Sequence, residues 1–230
     1  MIGIIGAMAS EVDGLKSIMS ELDVKTISTV DFYKGKINGS EVVVAQAGVG
    51  KVNAALTAQT MILEFNVDVV INIGVAGGIA EDLRIGDIVV ADRVCEHDMD
   101  TTPLGDPAGF ITGLDCVYMD CDKKVSELIM ACTKELGYNS MYDTIASGDI
   151  FVSTDDVRNK IRDVFNGAAA EMEGAAIGHV CTMNNVPFAV LRAMSDCAND
   201  DSTVDFPTFA QKAAENSIEI IKLFLKKAGK

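Results

Sequence analysis

Short apolar runs alternate along the chain with longer segments of helical periodicity, and this alternation limits the fold more than any other feature. The apolar runs are bounded by Gly, Asn and Asp, as buried strands are, and cover residues 2–5, 42–47, 69–74, 87–91 and 188–193. The helical segments cover residues 10–22, 52–65, 123–136, 173–183 and 208–227. Strands that alternate with helices predict an α/β protein in which helices are layered on a central sheet.

Two further segments, residues 24–36 and 142–147, have the character of more exposed strands. They favour a mixed sheet over a purely parallel one. No Pro-, Ser- or charge-rich linker divides the chain, and strand-like segments recur along nearly its whole length. We therefore expect one domain over residues 1–230, built on one sizeable core.

The charge balance limits the kinds of partner that the chain can have. Its 34 acidic and 19 basic residues give a formal charge of −15, which repels phosphate backbones and anionic lipid head groups. We expect no nucleic-acid and no membrane partner. The amino-terminal stretch meets Glu11 before any cleavage-like site, which argues against a signal peptide, and no apolar run approaches the roughly 20 residues that span a bilayer.

The cysteines and histidines bear on the cellular compartment and on metal binding. The chain has six cysteines without the spacing of a disulfide framework or a zinc site, at Cys95, Cys116, Cys121, Cys132, Cys181 and Cys197. We interpret them as the reduced thiols of a cytoplasmic protein. Two histidines are too few for a histidine-rich metal site, and no carboxylate cluster demands a metal ion. We expect neither a metal nor a cofactor.

Four segments place small or polar residues where strands end, and ligands of α/β proteins collect at the carboxyl ends of strands. These segments are residues 6–11 (GAMASE), 72–78 (NIGVAGG), 170–176 (AEMEGAA) and 190–196 (VLRAMSD). Taken singly, each also fits a structural role. Glu11 and Glu173 can complement a helix dipole, and Asp196 can belong to a turn. The relative directions of Glu171 and Glu173 depend on where the helix begins.

Two glycine-rich segments invite a nucleotide-binding interpretation that their spacing does not support. Residues 72–78 lack the G-x-G-x-x-G pattern of a dinucleotide site. Residues 48–51 (GVGK) lack the four residues that separate the glycines of a P-loop. A nicotinamide-dependent oxidoreductase is therefore disfavoured.

Taken together, Glu11, Glu173 and Asp196 supply three carboxylates at predicted strand ends. Such a set suits glycosyl cleavage through an oxocarbenium-like transition state, in which one acid protonates the leaving group and another activates water. A serine-hydrolase triad is disfavoured because the chain has no G-x-S-x-G elbow. We interpret His179, in an apolar helical stretch, as a core or cap residue.

The four segments, in this order and with this spacing, closely resemble the methylthioadenosine/S-adenosylhomocysteine nucleosidases of the nucleoside phosphorylase superfamily. The resemblance runs from residue 1 nearly to the carboxyl end, through IGIIGAMASEV, AGVGKVNAA, NIGVAGG, GDIVVADRV, HDMD, SGDIFV, EMEGAAIGHVC and RAMSDCAND. It implies a three-layer α/β/α fold with a mixed, partly barrel-like sheet. It also implies a homodimer, adenosine thioethers as substrates and a place in methionine salvage.

The resemblance implies a role for each matched residue. Glu11 would activate the attacking water, and Asp196, oriented by Ser195, would protonate N7 of adenine. Glu173 would hold the ribose hydroxyls. The other residues implied to bind substrate are Met8, Gly77, Phe151, Val152, Met172, Arg192 and Phe206, with Phe151 stacking on the base and Phe206 covering the purine or ribose. Relatives often carry a hydroxyl residue at the position of Val75.

Two rival functions stay open at this level. A nucleoside phosphorylase on the same fold would need cations around its phosphate, and Lys51 is the one cation near the glycine-rich segments. The carboxylate of Glu11 would repel that phosphate. A non-catalytic adenosine-binding protein is the second rival, and binding alone would not require both a base and an acid.

Overall fold

The computed structural model describes residues 1–197 and 206–229, and the side chains of these except 197 and 206–208. Its strands are β1 (Ile2–Gly6), β2 (Ser20–Ile27), β3 (Val30–Ile37), β4 (Ser40–Gln46), β5 (Val69–Gly78), β6 (Ile88–Glu96), β7 (Tyr118–Asp120), β8 (Ser140–Ser147), β9 (Gly167–Glu171) and β10 (Phe188–Cys197). Its helices are α1 (Ala9–Lys16), α2 (Lys51–Phe65), α3 (Lys123–Glu135), α4 (Asp155–Phe165), α5 (Gly174–Asn184) and α6 (Phe206–Ala228), with a short 3₁₀ helix at Thr102–Leu104.

One sheet of mixed direction contains all of these strands. Strands β4, β1, β5 and β10 are parallel neighbours, and the β2–β3 hairpin adds antiparallel strands beside β4. Strand β5 pairs with both β9 and β10, and these are joined in turn through β8 and β6. The ring closes through five strands in the order β5, β9, β8, β6 and β10. Strands β1 to β4 continue from β5 as an open sheet.

Helices cover both faces of this sheet. On one face α1, α3 and α6 enclose a core that includes Leu15, Ile129 and Ile221. On the other face α2 and α5 enclose a second core with Met61 and Ile177. Helix α4 packs a smaller cluster against β8 and β9. The predicted α/β/α layering around a mixed sheet is confirmed.

Most predicted elements are present, but two predictions were wrong. Residues 17–22 do not continue the first helix, because the strand Ser20–Ile27 pairs with β3. The segment 24–36 does have the exposed strand character predicted for it, as two strands of a hairpin, and Ser28 and Thr29 at its turn have positive φ angles of 49° and 66°. Strand β8 lies inside the ring with its last four residues buried, so it is not an exposed strand.

Strands β7 and β9 and helix α4 were not predicted. Strand β9, GAAAE, is rich in alanine, which has low strand propensity, and its burial in the ring overrides that preference. In the part of the chain that the structure describes, we find no helix with the length and apolar composition needed to cross a membrane.

Candidate active site

A cavity lies where β1, β5, β9 and β10 end, and it gathers most of the predicted site residues. Its walls are formed by Ala7, Met8, Glu11, Val49, Val75, Ala76, Gly77, Ile150, Phe151, Val152, Ala170, Glu171, Met172, Glu173, Ser195 and Asp196. Of the residues predicted to bind substrate, Arg192 lies outside this lining. The predicted role of Phe206 concerns a side chain outside the described residues.

Glu11 is held in place by backbone amides around the end of β1. Its Oε2 accepts hydrogen bonds from the N–H groups of Ala7 at 2.6 Å and Met8 at 2.9 Å, and its Oε1 accepts one from Val75 at 3.2 Å. The residue is only 3% exposed. Burial raises the pKa of Glu11, although Arg192 and the backbone donors oppose that shift. The carboxylate is thus fixed in direction and more basic than a surface glutamate.

Asp196 reaches the cavity because β10 carries a bulge. Met194 pairs with Ala76 and Asp196 pairs with Gly77, so Ser195 is the extra residue in the parallel ladder. The Ser195 hydroxyl donates to Oδ1 of Asp196 at 2.8 Å. A Cβ added to Gly77 would stand 3.1 Å from Oδ2 of Asp196, so glycine leaves room for the carboxyl group. The bulge thereby aims the predicted acid at the cavity.

The two carboxylates of the AEMEGAA segment have different partners. Strand β9 ends at Glu171, and Glu173 is the N-cap of α5. Glu171 forms a buried ion pair with Arg192 and accepts hydrogen bonds from the Ser147 hydroxyl and the Gly174 N–H. Burial alone would raise the pKa of Glu171, but Arg192 and these donors outweigh it and lower the pKa. Glu171 is therefore a buried anion whose carboxylate oxygens already have ion-pair and hydrogen-bond partners.

The carboxyl group of Glu173 is less strongly ionised than that of Glu171. Its Oε1 accepts a hydrogen bond from the Gly50 N–H at 2.8 Å, and its Oε2 lies 3.7 Å from Nη2 of Arg192. Burial and the charge of Glu171 raise the pKa of Glu173 to about 7. Near neutral pH this carboxyl group can therefore either donate or accept a hydrogen bond.

Arg192 lies behind the cavity wall, where its side chain is 1% exposed. Besides the ion pair with Glu171, its Nη2 donates to Oδ1 of Asn72 at 2.5 Å. Burial alone would lower the pKa of Arg192, but the charges of Glu171, Glu173 and Glu11 outweigh it and raise the pKa. Arg192 neutralises the buried carboxylates and does not present its charge to the cavity.

Lys51 and His179 belong to a polar cluster around Glu96 that was not predicted. The Nζ of Lys51 is 2.8 Å from both Oε2 of Glu96 and Oδ1 of Asp98, and Lys51 does not line the cavity. The Nδ1 of His179 lies 3.0 Å from Oε1 of Glu96 on the half-buried side of α5. The core or cap role predicted for His179 was wrong, because the polar partner Glu96 comes from a distant strand.

Sequence reasoning missed Glu171 as the ion-pair partner of Arg192 and missed much of the apolar wall. Two carboxylates just before an apolar, small-residue helix signalled Glu171 together with Glu173, but only the fold brings Glu171 to Arg192. Val49 and Ile150 belong to loops with no periodicity. The two loops are far apart in sequence and come together only through the tertiary fold, which local sequence does not encode.

Comparisons with known proteins identify the family of the chain. The model of the phosphorylase superfamily matches residues 1–226. A 5′-methylthioadenosine/S-adenosylhomocysteine nucleosidase of Staphylococcus aureus is 38% identical over 96% of this chain and 97% of its own length. The chain also matches the solved structure of such a nucleosidase from Neisseria meningitidis in complex with methylthio-immucillin-A, with a TM-score of 0.93, 32% identity and 98% of both chains covered.

A second solved structure gives the same picture. It is the S-adenosylhomocysteine nucleosidase of Streptococcus pyogenes in complex with 5-methylthiotubericidin, which matches with a TM-score of 0.92 and 35% identity over 98% of this chain and 96% of that one. The matches to the family model, to the sequence relative and to both solved structures each extend over nearly the whole chain. The chain therefore belongs to the 5′-methylthioadenosine/S-adenosylhomocysteine nucleosidases of the phosphorylase superfamily.

Proposed function

We propose that this chain hydrolyses the N-glycosidic bond of 5′-methylthioadenosine and S-adenosylhomocysteine, releasing adenine and the 5-thio-substituted ribose. One observation carries the proposal: a single cavity holds two carboxyl groups in contrasting settings, Glu11 and Asp196. Glu11 is buried and bound by three backbone N–H groups, whereas Asp196 sits on a bulge with one serine donor. Two acids in different environments suit the separate roles of base and acid.

Glu11 activates the water that attacks the anomeric carbon. Its backbone donors fix the carboxylate, and its raised pKa increases its affinity for the water's proton. The Val75 N–H bonds Oε1 through the backbone, so a hydroxyl side chain at this position is not needed to orient Glu11. Fixed direction and raised basicity together favour general-base catalysis.

Asp196 protonates N7 of the departing adenine, since adenine leaves poorly as an anion. Ser195 donates to Oδ1, which leaves Oδ2, beside Gly77, as the oxygen that carries the proton. Phe151 and Val152 supply the wall against which the base lies. Protonation and C–N cleavage then give neutral adenine and an oxocarbenium-like sugar that the activated water captures.

The remaining walls suit the sugar and its 5′-substituent. Glu173, beside Met172, binds the ribose hydroxyls through the carboxyl group that Gly50 and Arg192 hold in place. Met8, Val49 and Ile150 are apolar lining residues that match a thioether better than a phosphate or a free hydroxyl. The substrate class follows from this pairing of a polar sugar site with an apolar wall.

A phosphorylase reaction is disfavoured by the charges around the cavity. Glu11 and Glu173 face it, and the cations beside them, Arg192 and Lys51, are already held by carboxylates. Among the described residues of this neighbourhood, an inorganic phosphate would meet negative charge and no cation that lacks a carboxylate partner.

The chain is also proposed to act as a homodimer in methionine salvage, within the cytoplasm. An apolar stripe on α2 supports self-association: Val52, Leu56 and Leu63 are 78%, 41% and 66% exposed and lie at helical spacing. Val49, at the cavity wall, lies two residues before this helix and is 51% exposed. Burial of the stripe against a second copy would shield this apolar surface next to the cavity.

The deciding experiment is adenine release from 5′-methylthioadenosine and from S-adenosylhomocysteine, in phosphate-free buffer and with added phosphate. We expect equal rates in both buffers and a free sugar product by mass spectrometry. Strict dependence on phosphate with a sugar 1-phosphate product would establish a phosphorylase. Absence of adenine would leave the adenosine-binding function.

A further inference from the structure

A closed ring of hydrogen bonds joins the first residue of α2 to the loop that leads into the base-binding wall. The Nζ of Lys51 donates to Oδ1 of Asp98 at 2.8 Å, and Oδ2 of Asp98 accepts from the Asp149 N–H at 2.9 Å. The ring closes because Oδ1 of Asp149 accepts from the Lys51 N–H at 2.8 Å. Three residues, one at the start of α2 and two in separate loops, are thus fixed relative to one another.

Two members of this ring, Lys51 and Asp149, are each next in sequence to residues that contact or line the cavity. The residue before Lys51 is Gly50, whose N–H donates to Oε1 of Glu173 at 2.8 Å. The residues after Asp149 are Ile150, Phe151 and Val152, which line the cavity. Movement of the ring would therefore move both the sugar clamp and the base-binding wall.

The surroundings show that the ring is tightly built. Gly50 has a positive φ of 100°, and a Cβ added there would stand 3.0 Å from Oδ1 of Asp149, so the two loops approach closely. Lys51 has a second partner, Oε2 of Glu96 at 2.8 Å, and Oε1 of Glu96 contacts His179 on α5. Burial alone would lower the pKa of Lys51, but its bonds to Asp98 and Glu96 raise it, so the ammonium stays charged.

We infer that Lys51 is a positioning residue that couples the ribose clamp to the adenine wall by holding Asp98 and Asp149 in this ring. The inference rests on the proposed function, because it assigns those two walls to the two halves of the nucleoside. The ammonium group of Lys51 bonds to Glu96 and Asp98, neither of which lines the cavity, so Lys51 acts on the cavity through Gly50 and Asp149. A small displacement of bound reactants lowers enzymatic rates strongly.

The test compares wild type with Lys51→Met, Lys51→Arg and Lys25→Met. Lys25→Met is the matched control, because it removes the exposed ion pair between Lys25 and Glu64, which lies near the other end of α2. Amide hydrogen exchange is followed by NMR at residues 50, 51 and 149, whose N–H groups bond to Glu173, Asp149 and Asp98. Adenine release from 5′-methylthioadenosine gives kcat and KM for each protein.

We expect Lys51→Met to lose exchange protection at these three amides and to lower kcat/KM by about 10-fold or more, mainly through KM, since both halves of the substrate lose a fixed wall. Lys51→Arg, which keeps the cation, should restore most of both effects, and Lys25→Met should change neither. Unchanged protection in Lys51→Met would overturn the ring, and lost protection with unchanged KM and kcat would overturn its positioning role. A wild-type protein that releases no adenine would instead overturn the proposed function, while the exchange data would still test the ring.

Discussion

A Cβ added to Gly74 would stand 2.6 Å from Oε1 of Glu11, so the carboxylate and the strand backbone are in direct contact. The same Cβ would lie 3.1 Å from Nη1 of Arg192. We expect Gly74→Ala to displace Glu11 and lower kcat by about 100-fold. Gly3→Ala is the matched control, because its nearest neighbour is the flexible Met61 side chain. Steady-state kinetics of both variants decide the point, and normal turnover in Gly74→Ala would contradict the placement of Glu11.

Glu11→Gln should abolish most of the turnover while it leaves nucleoside binding largely intact. Removal of a general base typically costs about 100- to 10,000-fold in rate, and the amide oxygen can still accept hydrogen bonds from the surrounding backbone. Binding of a non-hydrolysable adenosine analogue by calorimetry separates the two effects. Glu41→Gln, at an exposed position of β4, is the control. Equal loss of binding and turnover would show that Glu11 holds substrate and is not the base.

Asp196→Asn should affect only substrates whose leaving group needs a proton. We expect adenine release to fall by about 100- to 10,000-fold. A 5-methylthioribosyl substrate with a 4-nitrophenolate leaving group should lose far less, since nitrophenolate leaves as an anion. Comparing the two substrates in one variant supplies its own control. A similar loss for both would remove Asp196 from the role of acid.

Stability should fall as pH rises through the titration of Glu173. Its folded pKa is about 7 against 4.5 for an unperturbed glutamate, so between these values the native state binds more protons than the unfolded state. The free energy of unfolding therefore decreases with rising pH over this window and levels off above it, by about 3 kcal/mol at most. Urea unfolding at pH 5 to 8 measures the slope.

Glu173→Gln should flatten that slope. Glu11 contributes in the same direction, because its pKa is also raised, whereas Glu171 contributes in the opposite direction at lower pH. The difference between wild type and variant isolates the contribution of Glu173. An identical slope in both proteins would place its pKa near that of an ordinary glutamate.

Leu63→Lys should weaken self-association by placing a charge on the apolar stripe of α2. Leu63 is 66% exposed near the end of this helix, and Val164, 49% exposed near the end of α4, offers a matched control in Val164→Lys. Sedimentation at several concentrations gives the dimer dissociation constant. We expect it to rise only for Leu63→Lys, and a monomeric wild type would refute the dimer.

Much of the sheet was predictable because its strands are short apolar runs with clear boundaries. The ends of α2, α3, α5 and α6 were predicted to within two residues, and α2 and α5 are followed by Asn66 and Asn185, which take the left-handed conformation after the last helical turn. The end of α1 was not. The hairpin turn at Ser28 and Thr29 has no glycine to mark it. The sequence-based prediction therefore extended α1 into a strand whose pairing is set by a partner further along the chain.

The site was predictable where one strand end carries both a small residue and an acid, as at Glu11 and Asp196. Arg192 shows the limit of that reasoning. Its neighbours Ser195 and Asp196 are close in sequence, but its charge is taken up by Glu171, which local sequence cannot bring to it. The ring at Lys51 depends likewise on the start of α2 and two loops, which meet only in the folded chain.

The bulge at Ser195 makes the position of Asp196 depend on the number of residues in β10 as well as on their identity. Side chains alternate between the two faces of a strand, and the one extra residue sets which face receives the acid. Loss of a single residue between positions 188 and 195 would turn Asp196 away from the cavity, even if every remaining side chain were unchanged. Strand β10 should thus tolerate apolar exchanges among natural variants far better than changes in length.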